Sequence, residues 1–267
     1  MISPAYNFIG MKLLWDTSEI FSQYKSNSQR VRCLSEKWFS EEMFCPACSS
    51  DGLESYSTSN PVADFFCPGC GEEFQLKSQG KTLTGRVNDG AYSKMIEAVR
   101  NEAQPNFFLL HYNPVKWQVT DLVAVPKFFF TESVIEERKP LATSARRHGW
   151  IGCNILLSAI PIDGRIPVVW NYHPLEKKEV RSLWKKTSFL KEKNAAKRSW
   201  IVDVMRCIRE LKKDSFTLDE IYAYEGYLRK LHPDNNNIQP KIRQQLQFLR
   251  DKGYLSFVER GRYELVK

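Results

Sequence analysis

The spacing of apolar positions changes several times along the chain, and each change predicts an element. Over residues 15–38, Ile20, Phe21, Tyr24, Val31 and Leu34 recur at mixed helical spacings around a polar break at Lys25-Ser-Asn-Ser28, which predicts two short helices. Residues 45–77 carry two β-type runs, Pro61-Val-Ala-Asp-Phe-Phe66 and Glu73-Phe-Gln-Leu-Lys77, between cysteine-bearing turns. A helix is predicted over 90–101, with Ala91, Met95, Ile96 and Val99 on one face. Strands follow at 107–112, 117–125 and 166–171, with a basic loop at 138–150 between the last two. This order predicts a mixed α/β domain.

The stretch 185–198 is rich in Lys and Ser and poor in large apolar groups, which predicts a boundary between a first domain, 1–190, and a second, 197–267. In the second, Ile201, Val204, Ile208 and Leu211 form one helical stripe, and Thr217-Leu-Asp-Glu220 has the capping-box spacing that starts another helix. A third helix, over 238–252, puts Ile242, Leu246 and Leu249 on one stripe and Arg243, Gln247 and Arg250 on the next. Strand-like runs at 254–258 and 263–266 then flank a Glu-Arg-Gly-Arg turn, so the tail reads as a winged helix.

Charge narrows the partner. The 267 residues, 42% hydrophobic, are enough to bury a sizeable core, and the net charge of +8 favours a polyanion. Residues 197–267 hold 15 basic and 10 acidic side chains, so most of the excess lies in the tail. No run of about 18 apolar residues occurs, which excludes a membrane-spanning helix, and the first 20 residues lack the pattern of a secretion signal. The seven cysteines are therefore expected in a reducing cytoplasm, where Cys-x-x-Cys pairs serve metal or redox chemistry rather than disulfides.

Cys45-Pro-Ala-Cys48 and Cys67-Pro-Gly-Cys70 stand 18 residues apart, a spacing at which four thiolates can enclose one tetrahedral Zn2+ with no open position. That closed set predicts a structural metal. Cys33, Cys153 and Cys207 stand alone and read as small buried residues.

Asp64 is followed after ten residues by Gln75-Leu-Lys77. Residues two apart in a strand share a face, so Gln75 and Lys77 project together, and a hairpin closed at Cys67–Cys70 brings Asp64 beside them. Asp64 and Gln75 offer the hard oxygen ligands that Mg2+ takes; Lys77 could orient a water or offset charge developing on a phosphate. On spacing alone, an ordinary solvated hairpin accounts for the same pattern. Against it, Asp64 lies among Val62, Ala63, Phe65 and Phe66, where a carboxylate is costly unless paired or metal-bound.

Several residues are candidates for DNA contact. Arg146, Arg147 and Trp150 in the basic loop could hold phosphates and press a ring against a base; a solvated loop with a core Trp fits them equally. On the third tail helix, Lys241, Arg243, Gln244, Gln247 and Arg250 offer side chains suited to base edges in a major groove, and Arg260 and Arg262 suit the backbone. A winged helix used for protein contacts is the alternative.

Longer runs carry a resemblance. Tyr24-Lys-Ser-Asn-Ser-Gln29, the two Cys-Pro-x-Cys pairs, Pro61-Val-Ala-Asp-Phe65, Leu76-Lys-Ser78, Asn88-Asp-Gly-Ala-Tyr92, Arg146-Arg-x-Gly-Trp-Ile-Gly-Cys-Asn154 and Lys241-Ile-Arg-Gln-Gln-Leu-Gln247 span nearly the whole chain. In these the chain resembles the DpnI-like methyl-directed restriction endonucleases and the dam-replacing proteins of bacteria. The resemblance implies a PD-(D/E)XK nuclease domain with an embedded zinc site, a C-terminal winged helix, Mg2+ dependence, and cutting of duplex DNA at GATC sites whose adenine carries an N6-methyl group. It implies catalytic roles for Asp64 and Lys77, whereas the position of Gln75 is normally Glu; a neutral amide there weakens metal affinity more than geometry. Trp150 is the expected methyl contact of the nuclease domain. No obligatory protein partner is evident. The rival classes are a non-catalytic zinc-containing winged-helix regulator and a nuclease acting on RNA or branched DNA.

Overall fold

The computed structural model describes residues 10–56, 63–83 and 85–266. Its first elements are α1 (Ser18–Gln23), α2 (Asn27–Glu42), β1 (Glu54–Ser55), β2 (Phe65–Phe66) and β3 (Glu73–Gln79). Next come β4 (Arg86–Ala91), α3 (Tyr92–Arg100), β5 (Asn106–Asn113), β6 (Gln118–Val125), β7 (Ile135–Glu137) and β8 (Gly152–Leu156). Then follow β9 (Ile166–Trp170), β10 (His173–Pro174), α4 (Lys177–Lys186) and α5 (Ala195–Glu210). The last are β11 (Ser215–Thr217), α6 (Leu218–Tyr222), α7 (Glu225–Leu231), α8 (Ile238–Asp251), β12 (Leu255–Glu259) and β13 (Arg262–Leu265). No described helix is long and apolar enough to cross a membrane.

These elements fall into two compact units, one drawn from Met1–Leu83, Pro105–Val125 and Ile166–Lys185, the other from Thr84–Gln104, Pro126–Arg165 and Lys186–Lys267. In the first, a seven-stranded mixed sheet runs β1-β2-β3-β5-β6-β9-β10, with β3 and β5 parallel and the other pairs antiparallel. Period-two alternation on β5 sends Phe108, Leu110 and Tyr112 to one face, where they join Phe65, Phe74 and Leu122 in the core. On that face α2 lays Phe39 with its ring centroid 4.5 Å from Phe65 and 4.8 Å from Phe108, and α4 brings Trp184 to 6.2 Å from Phe74. Phe39 is fully buried, and truncating such an anchor costs about 3–5 kcal/mol.

The second unit combines an antiparallel sheet, β4-β8-β7, with α3 and the winged-helix tail, whose own sheet runs β11-β13-β12. The tail is tied to residues of this unit outside 197–267. Buried Asp203 on α5 accepts from Ser133 Oγ at 2.9 Å, and Arg209 pairs with Asp163, which also accepts from the Tyr254 hydroxyl at 3.0 Å. Thr217 and Glu220 form the predicted capping box.

Several features depart from the apolar pattern, among them the helix α4, which was not expected, and α2, which at 16 residues is longer than the short helix expected. The helix begun at Thr217 is two helices, because Tyr224 N closes on Ile221 O three residues back and tightens the turn between α6 and α7. The strands β1, β4, β7, β8, β10 and β11 were not expected: all are short, and polar residues such as Asn88, Asp89, Glu136 and Glu137 in β4 and β7 keep the alternation from rising above the loop pattern. Of the strand run predicted at 61–66, Phe65–Phe66 is β2, while Pro61 and Val62 lie outside the described residues.

Candidate functional site

The four paired cysteines converge. Cys45 and Cys48 follow α2, and Cys67 and Cys70 lie in the β2–β3 turn, which is closed by Gly71 N to Cys67 O and Cys67 N to Glu72 O, both 2.9 Å. Gly71 takes φ of 72°, open to glycine at little cost. Cys45 Sγ is 3.7 Å from Cys70 Sγ, Cys48 Sγ is 3.5 Å from Cys67 Sγ, and all four sulfurs lie within 4.8 Å of one another. Thiolates bound tetrahedrally at about 2.3 Å stand about 3.8 Å apart, so the cluster could hold a metal such as zinc. Arg181 of α4 braces the loop, donating from Nε to Cys45 O at 3.2 Å and from its terminal nitrogen to Ser50 O at 2.8 Å. Of the lone cysteines, Cys153 and Cys207 are buried and Cys33 is half-buried; burial pushes the Cys207 thiol pKa upward.

The knuckle sets the register of the hairpin beyond it. Phe65 pairs with Phe74 and Phe66 with Glu73, and Asp64 stands at a bend just before β2. Residues two apart in a strand share a face, so Gln75 and Lys77 lie together on the side of β3 away from Phe74. Asp64 N donates to Phe74 O at 3.0 Å, Tyr56 N donates to Asp64 O at 3.0 Å, and Leu76 N donates to Asp64 Oδ2 at 2.8 Å, which turns the carboxylate toward β3. The donor set of one carboxylate and one amide oxygen suits a hard divalent cation, with Asp64 and Gln75 as the residues that would hold it.

One charged pair near this site was not singled out from sequence. Arg32 on α2 donates to Glu36 at 2.8 Å, and this contact is the main cause that raises its pKa above the ordinary guanidinium value; the Asp64 carboxylate adds a smaller push in the same direction. The i, i+4 spacing of Arg32 and Glu36 is so common on helices that it carried no signal.

The candidate DNA contacts sit in the second unit. In the 138–150 loop, Arg146 and Arg147 are exposed and Trp150 is half-buried, with the Arg147 guanidinium 4.8 Å over the Trp150 ring. Gly152 makes room for that ring: a Cβ there would fall 2.7 Å from it. On α8, Ile242, Leu246 and Leu249 are buried and Arg243, Gln244, Gln247 and Arg250 are exposed, as the two stripes predict. Lys241 is half-buried, donating to Gln244 at 2.8 Å, and Arg243 donates to the Tyr222 hydroxyl. Arg250 pairs with Asp251 at 2.8 Å and Arg262 with Glu259 at 2.9 Å, while Arg260 is exposed at the β12–β13 turn. The trio and the tail residues belong to different compact units.

Residues 11–193 match the family model DpnI, described as the Dam-replacing family, and residues 196–265 match DpnI_C, the Dam-replacing HTH domain.

Proposed function

The chain belongs to the Dam-replacing family of DpnI-like proteins, which implies a methylation-dependent restriction endonuclease that binds DNA, and on that premise we propose that it hydrolyses duplex DNA at adenine-methylated GATC sites with Mg2+. The observation that carries the proposal is the bond from Leu76 N to Asp64 Oδ2, which turns the Asp64 carboxylate toward β3, the strand on which Gln75 and Lys77 share a face. A bound Mg2+ would supply charge neutralisation and a more acidic water. Asp64 and Gln75 present the oxygens that hold it, and Lys77 orients the water and offsets charge on the scissile phosphate. Zinc on Cys45, Cys48, Cys67 and Cys70 keeps the hairpin in register. In this reading residues 1–190 carry the cleavage centre and 197–267 the winged helix.

DNA reading rests on both parts of the chain. Arg243, Gln244, Gln247 and Arg250 face a groove, Lys241, Arg260 and Arg262 serve the backbone, and Trp150 with Arg146 and Arg147 inspects the site from the 138–150 loop. Burying one N6-methyl group contributes about 1 kcal/mol, so strong discrimination needs more than one methyl contact or a penalty for the unfilled pocket.

The deciding experiment digests adenine-methylated and unmethylated copies of one plasmid with the parent and with Asp64→Ala, with and without Mg2+. The proposal expects metal-dependent cutting of the methylated copy alone, lost by orders of magnitude in Asp64→Ala while DNA affinity is kept. Cutting by Asp64→Ala at the parental rate would move the centre elsewhere. Gln75, in place of the family's acid, favours the second reading of a non-catalytic zinc-containing regulator; binding without cutting by the parent would establish it.

A further inference from the structure

A cleft of about 800 Å3 opens in the second unit, between the end of α3, the first turns of α5, the α7–α8 connection and the start of α8. Two of the cations on its lining are spent within the protein. Arg100 pairs with Glu132 at 2.7 Å, and Arg198, itself 5% exposed, pairs with Glu102 at 3.0 Å. Lys197 and Lys241 line the same cleft and have no acidic partner among the described residues. The Lys241 ammonium donates to Gln244 Oε1 at 2.8 Å and lies 5.9 Å from the centre of the Trp200 ring. Of the acids on the lining, Glu132 is taken by Arg100, and Asp234 is exposed in the α7–α8 connection.

Trp200 supplies a third donor. Its ring is fixed by His232, which stacks on it with centroids 3.8 Å apart and planes at 15°, while His232 Nε2 stands 2.9 Å from Oδ2 of the buried Asp203. Trp200 is 7% exposed, and its indole N–H has no acceptor among the described residues. A donor so far from bulk water costs stability unless an acceptor reaches it, and the way in is the cleft that Trp200 lines. Lys197 and Trp200, three apart on α5, share a helix face with about 5–6 Å between Cβ atoms. Water can serve the indole, but it does not neutralise two ammoniums beside it. An anion with several oxygens does both.

We propose that Lys197, Trp200 and Lys241 form a seat for one backbone phosphate of bound DNA, an inference that rests on the reading of 197–267 as a DNA-binding winged helix. Lys241 stands on the first turn of α8. When that helix lies in a groove, a phosphate strand runs along each side of its N-terminal end. The seat takes the non-bridging oxygens of the phosphodiester: the Trp200 N–H donates to one, and the two ammoniums donate to the pair and offset its charge. Such a contact carries no base information. It fixes the register in which Arg243, Gln244 and Gln247 meet the bases.

The test is DNA affinity of the full chain without Mg2+ at a series of salt concentrations, on methylated and unmethylated duplexes. Lys197→Ala is expected to make the fall of log affinity with log salt shallower by about 0.9, the signature of one lost phosphate neutralisation. Trp200→Phe, which keeps a ring against His232 and removes the N–H, is expected to weaken binding about tenfold with the slope unchanged, because no charge is lost. Both losses should be the same factor on the two duplexes, and Lys197→Arg should keep the parental slope. Lys197 is exposed, so its variants decide the matter should Trp200→Phe not fold. Parental slope and affinity in Lys197→Ala, or a loss confined to methylated DNA, overturn the inference. A rise in melting temperature with inorganic phosphate at fixed ionic strength that Lys197→Ala abolishes, beside unchanged DNA affinity, would give the seat to free phosphate and overturn the DNA assignment. If the parent binds DNA and the variants match it, the inference alone fails; a parent without salt-dependent DNA binding takes the winged-helix reading down with it.

Discussion

Arg181→Ala removes a side chain of α4 that holds the cysteine loop by its backbone. The guanidinium gives a full hydrogen bond to Ser50 O at 2.8 Å, a weaker one to Cys45 O at 3.2 Å, and lies 5.3 Å from the centre of the Phe44 ring. Its contact with Asp51 adds little, because that carboxylate is 72% exposed. Hydrogen bonds from a charged donor contribute about 1.5–3 kcal/mol each, and with one of the two long and the side chain 25% exposed, the loss comes to about 2–4 kcal/mol. For a protein of this size that lowers the midpoint of thermal unfolding by roughly 5–15 °C. Elemental analysis should find one zinc per chain in the parent, and the variant should release it faster to a chelator, since the Cys45 carbonyl is no longer held. Arg181→Lys should recover little, because an ammonium cannot span both carbonyls as the planar fork does. A variant that melts within about 1 °C of the parent and keeps zinc equally well would refute the bracing argument.

Two substitutions probe the cutting and reading residues. Gln75→Glu adds a charged oxygen ligand on β3, so the Mg2+ concentration for half-maximal cleavage should fall; an unchanged or raised requirement would show that position 75 does not meet the metal. Gly152→Ala drives a methyl to 2.7 Å from the Trp150 ring, which must then shift; if Trp150 reads a methyl group, the preference for methylated over unmethylated plasmid should drop about fivefold, and an intact preference would remove Trp150 from methyl reading.

The one-dimensional pattern was enough wherever a residue's role depends on near neighbours. The two stripes of α8 and the Thr217–Glu220 capping box follow from helical spacing, and the Cys-x-x-Cys pairs from the bite of a tetrahedral ion. The pairing of Phe65 with Phe74 follows from a hairpin of fixed length, because an antiparallel turn sets its own register. What only the tertiary structure decided involves partners far apart in the chain. Nothing local pairs β3 with β5 in parallel, and it is that pairing which carries the face of Lys77 on to His111 and Asp121. Arg181 meets Cys45 across 136 positions and Arg209 meets Asp163 across 46, contacts that an exposed-looking arginine in a helical pattern does not announce. The compact unit shared by the tail and residues 84–104 and 126–165 is of the same kind. A hydrophobic period reports which side of an element is buried, and only the folded chain reports what buries it.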